Sequence, residues 1–167
     1  LTRISRSEKS VSQNKQYAAE VLQVLSQASP SVRDRLITLD AIDKLLQLLA
    51  SYRKRDPPRD STEQEYAEDL FDTLTCLCSP SPGKQAFLAA EGTELMLLML
   101  REAKFSKPRA LKVLDHVLSG SSGQPVAEKL IDAAGLKPLF STFAKKNLEA
   151  ADTEHLLGIF SALLRLL

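Results

Sequence analysis

The sequence predicts an all-α fold built as a stack of similar helical units rather than as one closed globule. Three observations carry that expectation. First, two apolar residues, a small residue five positions after the first, and a leucine-rich stretch recur in the same order three times. Leu36 and Ile37 lead to Ala41 and then Leu45, Leu46, Leu48 and Leu49; Phe87 and Leu88 lead to Gly92 and then Leu95, Met96, Leu97, Met99 and Leu100; Leu130 and Ile131 lead to Gly135 and then Leu136, Leu139, Phe140 and Phe143. Second, the small residues lie 51 and 43 positions apart, in the range of helical repeats. Third, alternating segments are absent and the β-branched residues are scattered, so no strand pattern competes. The small residue has a steric reason. One short helix must end and another leave at a steep angle, and crowded backbones there favour Gly, or Ala at a modest cost.

Residues 1–13 are rich in Ser, Lys and Arg and are expected to be the frayed tail of a preceding unit, running into a polar turn. From Asn14 to Gln27, Tyr17, Ala18, Val21, Leu22 and Leu25 recur at helical spacing, with Asn14 as N-cap. Pro30 then breaks the chain, and a short helix over Ser31–Leu39 leads to a leucine-rich helix from Ala41 to about Arg53. Residues 52–60 hold Arg53, Lys54, Arg55, Pro57, Pro58 and Arg59, and two consecutive prolines cannot continue a helix, so this is a basic loop. Ser61 or Thr62 caps the next helix, whose buried stripe is Tyr66, Leu70, Phe71, Leu74 and Leu77.

Pro80 and Pro82 end that helix. A short helix to Ala90, a Leu/Met helix to about Lys104 and a third helix over Lys107–Ser119 follow, the last burying Ala110, Leu111, Val113, Leu114, Val117 and Leu118. After a Gly/Ser turn at 119–123 come a short helix over Pro125–Ala133, a middle helix over Leu136–Lys146, and a last helix from about Asp152 that buries Leu156, Ile159, Phe160, Leu163 and Leu164. Two long helices per unit would suggest HEAT repeats, whereas the extra short helix before the small residue favours armadillo (ARM) repeats. The expected architecture is a right-handed ARM-type solenoid of about three repeats plus a partial one. Its units are 1–27 (the end of a preceding repeat with its last helix), 28–79, 80–120 and 121–167, all in one domain.

Composition narrows the function. The 167 residues are 44% hydrophobic and 26% charged, as in an ordinary folded chain, and the net charge of +1 offers no overall field for nucleic acid or an anionic membrane. The longest apolar run, Leu95–Leu100, is far short of the ~20 residues that span a bilayer. Cys76 and Cys78 form neither a disulfide framework nor a metal spacing, which fits a reducing compartment and structural thiols. Asp115 and His116 are neighbours about 100° apart on one helix and cannot orient a nucleophile together; His155 stands isolated in the sequence. No phosphate-loop lysine follows the glycines at 120 and 123. An enzyme is therefore not expected, and neither is a cofactor or metal. From the leucine at position 1 and the apolar last residues, the chain is expected to be a segment of a longer protein.

In an ARM stack the third helices line a concave groove, and columns of residues on them read an extended peptide. Aligning these helices on Val21, Leu70, Val113 and Ile159 gives one column of Glu20, Asp69, Lys112 and Gly158 and another of Gln23, Asp72, Asp115 and Ser161. The helix over 61–78 is the distinctive one: Glu63, Glu65, Glu68, Asp69 and Asp72 are acidic and no Lys or Arg occurs between Arg59 and Lys84. Glu65, Glu68 and Asp72 share one face, where like charges repel by a few tenths of a kcal/mol per pair. A basic partner would relieve that repulsion. The partner-binding candidates are therefore Glu65, Glu68, Asp69 and Asp72, with Glu20 and Asp115 as groove neighbours. The alternative is an ordinary solvated helix face with acids favourably placed near its N-terminus. The basic loop Arg53–Arg59 could touch phosphate or an acidic partner, but the expectation is a solvated loop paired with the neighbouring acidic helix.

Several strings go beyond generic repeat periodicity. Asp69-Leu70-Phe71-Asp72-Thr73-Leu74, Leu97-Leu98-Met99-Leu100-Arg101-Glu102, Ala110 to His116, Leu39-Asp40-Ala41-Ile42-Asp43 and Ala162-Leu163-Leu164-Arg165 resemble the beta-catenin-like protein 1 family of nuclear ARM-repeat proteins. The resemblance runs in order from about residue 14 to the end and covers only a middle portion of that longer family. It departs at Ala41, where Gly is usual, and in the more neutral turn at 121–126. The resemblance implies a nuclear, non-enzymatic scaffold of the spliceosome-associated Prp-nineteen type of complex. It would engage basic, nuclear-localisation-like segments of splicing factors, including a Myb-like cell-division-cycle protein, with no direct nucleic-acid or membrane binding and a possible homodimer formed through regions outside this segment. The Trp/Asn ladder of importin-type grooves is missing, since the chain has no Trp. A purely structural or self-associating role is the remaining alternative.

Overall fold

A computed structural model describes residues 1–5, 10–102 and 104–167, and these form an all-α solenoid. The helices are α1 (Thr2–Ser5), α2 (Gln13–Ala28), α3 (Pro30–Thr38), α4 (Ala41–Leu49), α5 (Thr62–Leu77), α6 (Ser81–Ala89), α7 (Gly92–Glu102), α8 (Ser106–Leu118), α9 (Gln124–Asp132), α10 (Leu136–Phe143) and α11 (Ala150–Leu166). No strand occurs among the described residues. The long helices α2, α5, α8 and α11 pack side by side in that order, while α4 and α7 brace α5 and α8 from behind. One apolar core runs the length of the stack, and Leu70, Leu74, Val113, Leu114, Met96, Met99 and Ile159 are sealed within it.

Helix starts follow local chemistry. The break expected at Pro30 is present, α2 ending at Ala28, and Pro30 itself begins the next helix: it occupies the first turn of α3, where its missing N–H costs nothing, while the Ser29 hydroxyl accepts from the Val32 amide. Ser61 accepts from the Gln64 amide, and the Gln64 side chain accepts in return from the Asp60 amide, so α5 is held by a near capping box. The first long helix starts at Gln13, with Ser12 rather than Asn14 at the N-cap position. The middle helices are shorter than expected. The first passes into a 3-10 turn over Ala50–Tyr52, and α10 ends at Phe143 rather than Lys146. Of the N-terminal tail, residues 6–9 lie outside the described residues, as does Ala103 near the expected end of the second middle helix; Thr2–Ser5 are helical and Ile4 is buried.

The three small residues occupy equivalent corners. Ala41 and Gly92 open α4 and α7, and Gly135 immediately precedes α10. Crowding is the cause: a Cβ on Gly92 would come within 2.4 Å of the Phe87 ring, and one on Gly135 within 2.7 Å of the Leu130 carbonyl oxygen. The left-handed turn itself sits one residue earlier, on Asp40, Glu91 and Ala134, with φ of 54°, 56° and 56°. Steric tightness and backbone reversal are thus divided between two adjacent positions.

The expected stripe of α2 is corrected. Tyr17, Val21 and Leu25 are exposed, and the face turned toward α5 is that of Gln16, Ala19 and Ser26. Val21 is accordingly not equivalent to the fully buried Leu70, Val113 and Ile159, so the column register through α2 does not hold.

Candidate partner-docking groove

The groove forms where α5, α8 and α11 lie side by side. A concavity of about 370 Å³ crosses all three, lined by Glu68 and Asp72 of α5, Arg109 and Lys112 of α8, and Asp152 and His155 of α11. Residues about one repeat apart face each other across the helix seams. The Arg109 guanidinium pairs with Glu68, and the Lys112 ammonium donates to Asp72 Oδ1 at 2.8 Å. His155 Nδ1 and Asp115 Oδ2 are 2.9 Å apart, so His155, isolated in sequence, has a partner 40 positions away. Gly158 lets Asp115 in: a Cβ there would lie 2.2 Å from Asp115 Oδ1.

Three candidate residues, Glu68, Asp72 and Asp115, therefore already hold partners from the next helix. The Arg109–Glu68 and His155–Asp115 pairs are more sheltered, while the Lys112–Asp72 pair is shallow, its side chains 41% and 42% exposed. Exposed pairs of this kind contribute about 0–1 kcal/mol, little enough for a competing cation to replace. The repulsion expected within α5 is answered partly inside the chain, by basic residues on α8 that α5's own sequence does not reveal. Their signal was the Lys in the column Glu20, Asp69, Lys112, Gly158.

The other candidates are different. Asp69 is partly buried between α5 and α2, where Gln16 Nε2 donates to its Oδ2 at 3.3 Å. Burial, with the carboxylates of Glu20, Asp72 and Glu65 around it, pushes the Asp69 carboxyl up to about 6, against the smaller opposing effect of Gln16. Glu20 and Glu65 are exposed and have no cationic partner among the described residues. Two regions result. Toward α2 lies an uncompensated acidic patch of Glu20, Glu65 and Asp69; toward α11 lies a mixed seam of paired charges.

The basic loop is tied down. Arg55 pairs with Glu63 and holds its carboxyl below the usual range, Arg53 Nε bridges Glu102 at 3.0 Å, and Asp56 Oδ1 accepts from the Phe105 amide at 3.1 Å. Beneath it the buried Tyr52 hydroxyl donates to Glu63 Oε1 at 3.2 Å, and burial pushes that phenol far up. Cys78 is fully buried and Cys76 half-buried, as structural thiols would be. Half-buried His116 has its imidazole pushed down by burial. No group of three metal-ligating side chains occurs among the described residues.

Comparison with known proteins agrees with this architecture. Residues 1–167 match the family described as catenin-beta-like, Arm-motif containing nuclear. The chain is 39% identical over 166 residues to the beta-catenin-like protein 1 homolog of Schizosaccharomyces pombe, covering 99% of this chain and 29% of that protein. It is 41% identical over 160 residues to the Homo sapiens and Bos taurus proteins named beta-catenin-like protein 1, covering 91% of this chain and 28% of each. The chain thus spans less than a third of the length of these relatives. Among solved structures, an engineered protein superposes with a TM-score of 0.73 over 96% of this chain and 61% of its own, at 16% identity, a likeness of fold alone.

Proposed function

The chain belongs to the catenin-beta-like, Arm-motif containing nuclear family, and from that premise we propose that it is a non-enzymatic protein-binding scaffold whose acidic groove docks Lys/Arg-rich segments. The observation that carries this is the uncompensated patch of Glu20, Glu65 and Asp69, where burial, with a smaller push from the neighbouring carboxylates, keeps Asp69 from ionising at its ordinary pH. A lysine or arginine seated there would stabilise the ionised form and gain a charge-assisted hydrogen bond. Glu68, Asp72 and Asp115 would extend the contact by exchanging their internal partners for the peptide's. The family resemblance supports splicing factors as the source of such segments, a Myb-like cell-division-cycle protein among them, within a spliceosome-associated complex of the Prp-nineteen type.

The test is charge reversal. Replacing Glu65, Glu68 and Asp72 with Lys is expected to weaken binding of a Lys/Arg-rich peptide by at least tenfold, with helical content by circular dichroism unchanged. Unchanged affinity in a folded triple variant overturns the proposal. A purely structural or self-associating segment would bind no peptide and would show a concentration-dependent association state instead.

A further inference from the structure

A second concavity, of about 570 Å³, lies between the end of α7, the start of α8 and the length of α10, and shares no lining residue with the acidic groove. Its charge is one-sided. Arg101, Lys107, Lys137 and Lys145 all line it, and no acidic residue does. None of the four has a carboxylate partner among the described residues; Arg101 reaches only the carbonyl oxygens of Ala133 and Ala134, at 3.4 Å each. Burial and the nearby Lys145 ammonium push the Lys107 ammonium down, so at least two of these cations are held close together without a counter-charge.

Other cations of the chain, Arg33 and Lys44 among them, also reach only backbone carbonyls, so what sets these four apart is that they share one hollow. A net charge of only +1 leaves no general surplus of cations to explain four in one hollow. Like charges sharing a concavity repel, here around a partly buried Lys107 with Arg101, Lys137 and Lys145 exposed, and a bound anion relieves them.

We propose that this cavity binds a phosphomonoester group carried on a protein side chain, a phosphorylated serine or threonine of a partner segment. The charge count favours it. A phosphoryl group brings about −1.5 to −2 and three acceptor oxygens, whereas a carboxylate brings one charge and would leave most of the cluster uncompensated. The exposed Ser141 hydroxyl on the same wall supplies a further donor, and buried Leu100 and Pro138 give an apolar floor for a neighbouring side chain. Nucleic acid fits less well. No aromatic side chain lines the cavity for base stacking, and a strand needs a basic track for successive phosphates rather than one pocket.

The experiment titrates the chain with a short, otherwise neutral peptide carrying one phosphoserine followed by leucine, with the same peptide unphosphorylated, with inorganic phosphate, and with an oligouridine. Backbone amide shifts and calorimetry are the readouts. The phosphopeptide is expected to bind at least tenfold more tightly than its unphosphorylated form, to shift amides of 100–107 and 134–145, and to be displaced by millimolar inorganic phosphate. Lys107→Gln with Lys145→Gln is expected to lower that affinity at least tenfold, while Lys54→Gln in the basic loop leaves it unchanged. Equal affinity of the two peptides, no shift at these amides, or an unaltered double variant that melts like the parent overturns the proposal. Oligouridine binding as tight as the phosphopeptide, and rising with strand length, overturns it in favour of RNA.

Discussion

Asp69 shows how far a single residue departs from what its neighbours in sequence suggest. On the helix surface it is one acid among several, yet burial drives its carboxyl up to about 6. The sign of the consequence follows from linkage. Its carboxyl holds a proton more readily when folded than when unfolded, so its contribution to stability is fully present below about pH 4. That contribution is lost as pH rises through about 6. Asp69→Asn keeps an acceptor for Gln16 and removes the charge, so it is expected to raise the melting temperature at pH 7.5 by about 2 °C. The difference should close at pH 4, and a gap that persists at pH 4 removes the electrostatic explanation. A basic peptide would pull the other way, releasing a proton on binding and tightening as pH rises from 5 to 7.

Among elements, the relation between α5 and α8 matters most. Each carries a charge pattern that makes sense only against the other, with Glu68 and Asp72 on α5 paired to Arg109 and Lys112 on α8. Under the proposed function these basic residues compete with the partner's cations for the same carboxylates. Arg109→Gln combined with Lys112→Gln is therefore expected to raise affinity for a Lys/Arg-rich peptide, by roughly three- to tenfold given the modest strength of exposed pairs. A loss of affinity measured by calorimetry would mean that α8 helps to hold the partner. The gain should shrink with salt, since screening acts over about 10 Å at 0.1 M. Helix α2 carries the contrasting lesson. Its exposed apolar residues and its inward Gln16 show that helical spacing locates a stripe without saying which way it faces.

At the scale of the whole molecule, each helix meets only its neighbours in the stack, so protection should be graded along the axis. Hydrogen exchange is expected to be slowest in α5 and α8, which are packed on both sides, and faster in α2 and α11; uniform protection would indicate one globular cooperative unit instead. Both ends of the stack expose apolar side chains, Tyr17, Val21 and Val24 at one and Phe140, Phe143 and Leu164 at the other. The all-α class, the three corner residues, the basic loop and the acidic helix were legible in the sequence. Each depends on contacts within a few residues, where spacing, proline and small side chains constrain the backbone directly. The internal pairing of Glu68, Asp72 and Asp115, the outward turn of α2, the elevation of Asp69 and the gathering of Arg101, Lys107, Lys137 and Lys145 into one hollow were decided only in the folded chain. Charges interact through space, and residues some 40 positions apart become neighbours only when successive units stack.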